Sequence, residues 1–125
     1  MNEKKTILII EDEIPLRNAL KDKFSNEGFN VLEAKNGQEG LDMAFGQHPD
    51  LILFDIIMPV MDGITMLKKL REDVWGKTVE AIALTNLSDT GHVTDAVAEG
   101  AFYYLVKSDW KLEDVVKLVR EKLKM

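Results

Sequence analysis

Five positions with reactive side chains stand where an apolar run stops. Glu11 and Asp12 follow Ile7-Leu8-Ile9-Ile10, Asp55 follows Leu51-Ile52-Leu53-Phe54, Thr85 follows Ala81-Ile82-Ala83-Leu84, and Lys107 follows Tyr103-Tyr104-Leu105-Val106. An ionised carboxylate at the end of a buried run is costly unless other groups pair with it. Asp55 therefore needs partners. Three carboxylates, a hydroxyl and an ammonium have a shared use if the ligand is a divalent cation with a phosphoryl group. Mg²⁺ takes oxygen ligands at about 2.0–2.1 Å and shares one or two carboxylates with phosphate oxygens. A phosphoryl group on Asp55 would present three accepting oxygens, one each for the cation, the Thr85 hydroxyl and the Lys107 ammonium.

The elements around these positions decide whether they can meet. The runs at 7–10, 51–54, 81–84 and 103–106 are short, continuous and apolar, as expected of strands buried on both faces of a parallel sheet. Val31-Leu32-Glu33-Ala34 is weaker and carries a charge, which predicts an edge strand. Between the strands the period becomes helical. Leu16, Ala19, Leu20 and Phe24 share one face, with Pro15 in the first turn and Gly28 at the end; Gly40, Leu41, Ala44 and Phe45 share another, capped by Asn36 with Glu39 three residues on. Pro49 ends that second helix. Met66, Leu67, Leu70 and Val74 follow an Asp62 cap, Val93, Ala96, Val97 and Gly100 mark a short helix, and Leu112, Val115, Val116, Val119 and Leu123 form a last one capped by Ser108 or Asp109. Five strands alternating with five helices predict one doubly wound parallel α/β domain over residues 1–125. Right-handed crossovers then bring every loop after a strand to one edge, where ligands bind.

Composition narrows the chemistry. Without cysteine there is no disulfide framework, thiolate metal site or thiol catalysis. A net charge of −6, from 22 acidic and 16 basic residues, opposes approach to nucleic acid or an anionic membrane. No apolar run approaches the ~20 residues of a membrane span, and the start does not read as a signal peptide, so a cytoplasmic location is expected. His48 and His92 lack metal-ligand spacing and read as solvent-facing, Glu13 as surface, and Met43, Met58, Met61 and Met66 as packing. Trp75 and Trp110 read as loop anchors.

Taken in order, Ile-Glu-Asp-Glu at 10–13, Asp55-x-x-Met58-Pro59-x-Met61-Asp62-Gly63, Thr85 and Lys107 resemble the receiver domains of bacterial response regulators, the CheY-like family, across essentially the whole chain. The resemblance implies a flavodoxin-like strand order, 2-1-3-4-5. It also implies that Asp55 accepts a phosphoryl group from a histidine kinase, with Mg²⁺ held by Asp12, Asp55 and the Ile57 backbone carbonyl and by Glu11 mainly through water. Thr85 and Lys107 would read the phosphoryl oxygens, and Tyr104 would be the switch aromatic that fills the space Thr85 vacates. The fourth helix, last strand and last helix would then change their affinity for a downstream protein. The implied partners are a sensor histidine kinase or phosphotransfer protein and a protein target, with no direct nucleic-acid contact and no membrane. The chain would be a monomer or a phosphorylation-dependent dimer. An output domain is not expected on this chain, nor any enzymatic activity beyond self-phosphorylation and slow autodephosphorylation.

The sequence departs from that family in four places. Asn86 stands where a small residue is usual after the Thr, Lys107-Ser108 replaces Lys-Pro, and the link to the last helix is about one residue longer, with Trp110 in it. A cis bond without Pro costs about 2.5–4 kcal/mol, so the Lys107-Ser108 peptide is expected to be trans. Ile57 and Leu87 replace polar side chains that orient the hydrolytic water, which predicts a long-lived phosphoryl group. Two rivals remain. An aspartyl-nucleophile phosphatase would carry a second Asp at the position of Ile57, and a phosphate-independent interaction module on the same fold would be expected to lose site residues. A nucleotide-binding reading fails, since no Gly-x-Gly-x-x-Gly follows Ile10.

Overall fold

The structure, a computed structural model, describes residues 4–85, 103–106 and 111–125. Its strands are β1 (Thr6–Ile10), β2 (Asn30–Ala34), β3 (Leu51–Asp55), β4 (Glu80–Thr85) and β5 (Tyr103–Val106). They lie parallel in the order β2-β1-β3-β4-β5. Among the described residues the helices are α1 (Ile14–Asn26), α2 (Gly37–Gln47), α3 (Gly63–Arg71) and α4 (Leu112–Lys122). This is the doubly wound α/β class. The helix read around Val93 to Gly100 lies outside the described residues.

Two apolar layers explain why the central strands read as unbroken hydrophobic runs. Successive strand side chains point to opposite faces. Ile7, Ile9, Leu51 and Leu53 pack with Leu20 and Phe24 of α1 and Val115, Val116 and Val119 of α4. Leu8, Ile10, Ile52 and Phe54 pack with Leu41 and Ala44 of α2 and Met66, Leu67 and Leu70 of α3. Both faces of β1 and β3 are therefore dry. Strand β2 pairs only with β1 and keeps residues 31–33 partly exposed, the edge position its charge predicted. Among the described residues no helix is long and apolar enough to cross a membrane.

Helix ends follow local chemistry, with three corrections. Asn36 accepts from the Glu39 amide at 2.8 Å, and Asp62 accepts from the Thr65 amide at 2.8 Å, so both caps form as read. Helix α1 carries Pro15 in its first turn, and Gly28 follows it at φ 93°. Helix α4, however, begins at Leu112 with Lys111 as N-cap, not at Ser108 or Asp109. Its first turn is held by Asp114, whose carboxylate accepts the Lys111 amide at 2.9 Å, and this sets the N-cap three residues before Asp114. Val74 is not on the face of α3: the helix ends at Arg71 and Val74 is 86% exposed. The Arg71 guanidinium donates to the carbonyls of Gly76 (2.6 Å) and Val79 (2.8 Å), which curls residues 72–79 back beneath the helix end. Phe45 is also exposed, beyond the buried stripe of Gly40, Leu41 and Ala44. Trp75 is an anchor as expected, stacked on His48 with ring centroids 4.2 Å apart.

Candidate functional site

The chain runs from β1 to β2 on one side of the sheet and returns to β3 on the other, so strand order reverses between β1 and β3. A crevice at the carboxyl ends of these strands is the expected ligand position in such folds. Register places Ile10 opposite Phe54, which sets Glu11 level with Asp55 one step on. Glu11 is fully buried, Asp55 is 5% exposed, and Asp12 is partly buried. One oxygen from each of the three carboxylates can be chosen so that all lie within 4.8 Å of one another. The sheet thus brings together residues 44 positions apart in the chain.

At that spacing each pair of ionised carboxylates repels by about 3–4 kcal/mol in an effective dielectric of about 20. A divalent cation reverses the sign of that term. The donor set is all oxygen, without imidazole or thiolate, which suits a hard cation that keeps several waters, such as Mg²⁺. The residues present fit the metal.

The turn that carries Glu11 and Asp12 is fixed on several sides. The Glu11 amide donates to the Ala34 carbonyl at 3.0 Å, and its side chain accepts from the Glu13 amide at 3.2 Å. Arg17, on the second turn of α1, donates from Nη1 to the Glu11 carbonyl at 2.9 Å. The sequence reading passed over Arg17, because a single arginine on a helix has no spacing signature.

The loop after Asp55 alternates anchors and exposed positions. Ile56 and Met58 are buried, whereas Ile57 is 53% and Val60 82% exposed. The Met61 amide donates to the Pro59 carbonyl at 2.7 Å across Val60, whose φ is 69°. That is a γ-turn of the rare, strained kind, and a β-branched residue at positive φ is an outlier. The Gly63 amide closes the loop onto the Ile56 carbonyl at 2.7 Å, and a Cβ at Gly63 would collide with the Asp55 carbonyl oxygen. Only glycine lets α3 start this close to the end of β3.

The remaining expected site residues stand differently. The backbone of Thr85 ends β4, one step beyond Leu84, which pairs with Asp55. In β5, Val106 pairs with Thr85 and Tyr104 with Ala83. The side chains of Thr85 and Tyr104 are not among the described ones. Lys107, and with it Asn86, Leu87, His92, Ser108 and Trp110, lies outside the described residues.

A family model described as the response regulator receiver domain matches residues 7–120. Over 107 residues the chain is 34% identical to Sporulation initiation phosphotransferase F of Bacillus subtilis, covering 86% of this chain and 83% of that protein. It is 37% identical over 105 residues to Histidine kinase P4 of Formosa agariphila, covering 84% of this chain but only 8% of the kinase's length. Among solved structures, the chemotaxis response regulator CheY4 of Vibrio cholerae superposes with a TM-score of 0.88 at 27% identity, covering 95% of this chain and 98% of that one.

Proposed function

Because the chain belongs to the response regulator receiver domain family, we propose that it is a phosphoacceptor switch of a two-component relay in which Asp55 takes the phosphoryl group. The observation that carries this reading is the convergence of the Glu11, Asp12 and Asp55 carboxylates within 4.8 Å at the strand-order reversal. A carboxylate oxygen of Asp55 attacks the phosphorus of a phosphohistidine. The bond to the imidazole nitrogen breaks as the acyl phosphate forms, and the released imidazole takes up a proton. Asp12, Asp55 and the Ile57 backbone carbonyl would hold Mg²⁺, with Glu11 contributing mainly through water; the ion, when bound, would supply positive charge against the transferring group.

Thr85 and Lys107 complete the site by binding the phosphoryl oxygens, and Tyr104 follows Thr85 as the switch aromatic. The surface whose partner affinity changes is that of β5, α4 and the segment before β5 that the sequence analysis reads as a helix. The donor is a sensor histidine kinase or phosphotransfer protein, in keeping with the names of two relatives. The receiver works in the cytoplasm, as a monomer or as a dimer formed on phosphorylation. A phosphatase reading is weaker, since Ile57 stands where a second Asp would be needed.

The test is incubation with Mg²⁺ and acetyl phosphate followed by intact mass. A gain of one phosphoryl group in the wild type that disappears in Asp55→Asn is the expected result. No gain at any donor concentration overturns the reading in favour of a phosphate-independent interaction module.

A further inference from the structure

Resting on the reading of the acidic cluster as a Mg²⁺ site, we infer that Arg17 is a positioning residue for that ion, acting through the backbone of Glu11. Its side chain is 19% exposed, and its guanidinium bridges two elements. Nη1 donates to the Glu11 carbonyl at 2.9 Å, and Nε lies 3.6 Å from the Glu33 carboxylate on the edge strand β2. Glu33 is itself held by Lys21, one turn further along α1, at 3.4 Å. Ile9 pairs with Glu33 and Ile10 with Ala34, so the carboxylate that anchors Arg17 sits two rungs from the acidic turn.

The geometry has a specific consequence. The Glu11 amide is fixed by the Ala34 carbonyl, and the Glu11 carbonyl is fixed by Arg17. The peptide leading from Glu11 to Asp12 is thereby oriented, and with it the direction in which the Asp12 carboxylate meets Asp55. The planar, forked guanidinium can reach a carbonyl and a carboxylate at once, which a point-charge ammonium cannot do as well. Groups that orient ligands without touching the metal are worth about 10–100-fold in metal affinity. Glu33 therefore serves more than to charge an edge strand.

Positioning and plain electrostatics predict opposite signs. Arg17 carries the same sign of charge as the metal, so removing it should tighten Mg²⁺ binding if Coulomb repulsion is all that matters. If Arg17 orients the acidic turn, removing it should weaken binding. Lys21 supplies the matched control: it carries the same charge and pairs with the same Glu33, and no bond from it to the Glu11 carbonyl is seen.

The experiment is a Mg²⁺ titration of the full chain followed by amide NMR shifts, with the thermal midpoint of each variant measured in parallel without metal. Arg17→Met is expected to weaken binding by about tenfold, while Lys21→Met leaves it unchanged or slightly tighter. Should Arg17→Met not fold, Arg17→Gln carries the same expectation, being neutral and too short to span both partners. Unchanged or tighter binding in the Arg17 variant, or an equal loss in Lys21→Met, overturns the inference while leaving the proposed function standing. Absence of Mg²⁺ binding in the wild type overturns both.

Discussion

The amide of Gly37 donates to the carbonyl of Met61 at 2.9 Å, and a Cβ on Gly37 would run into that same oxygen. The first residue of α2 thus clamps the loop that follows Asp55. The contact is closed on the α2 side by Asn36, which caps the helix through the Glu39 amide. A methyl group at residue 37 must push the Met61 carbonyl away, and with it the γ-turn. Gly37→Ala is expected to cost about 1–3 kcal/mol in urea denaturation and to slow phosphorylation by acetyl phosphate. An unaltered rate together with unaltered stability would show that the close approach does not constrain the loop.

Val60 holds a φ of 69° while 82% exposed, so its side chain gives up little burial if replaced. A residue held in so sparsely populated a conformation costs roughly 1–3 kcal/mol, and Asn is found at positive φ far more often than a β-branched residue. Val60→Asn should therefore stabilise the protein by about 1 kcal/mol, read as a higher urea midpoint with an unchanged slope. A lower midpoint would mean that the strain is relieved by contacts the substitution removes.

Ile57, two residues after the proposed acceptor Asp55, is 53% exposed, and its apolar side chain cannot orient a water for attack on an acyl phosphate. Ile57→Asn is expected to leave stability within about 0.5 kcal/mol and to speed loss of the phosphoryl group on the order of tenfold or more. The readout is decay of the phosphorylated species by intact mass after the donor is removed. A wild-type half-life of seconds, or no acceleration in the variant, contradicts the slow-hydrolysis expectation.

Much of the fold was legible because its central strands are dry on both faces. Residues 7–10, 51–54 and 81–84 have no polar position to blur the pattern, and each ends on a residue that needs a polar setting. The caps at Asn36 and Asp62 were equally readable, since a short side chain bonding three residues ahead is a local interaction. Errors arose where a residue of a type that does not signal a cap or a turn makes the deciding contact. Val74 continues the helical period of α3, but Arg71 bonds to Gly76 and Val79 and turns the chain away. Ser108 and Asp109 are good caps by type, yet Asp114 accepts the Lys111 amide and starts α4 there.

The sequence by itself determined the family, the α/β class and the three carboxylates that converge, because strand periodicity and the residues at strand ends are properties of nearest neighbours along the chain. Only the tertiary structure decided how that convergence is held. The Arg17 bond to the Glu11 carbonyl, the Gly37 clamp on Met61 and the positive φ of Val60 all involve backbone groups. Every residue has a backbone carbonyl and amide, so no residue type announces which of them will be used. That choice is made when the sheet sets β1 beside β3 and brings α1 and α2 over its edge.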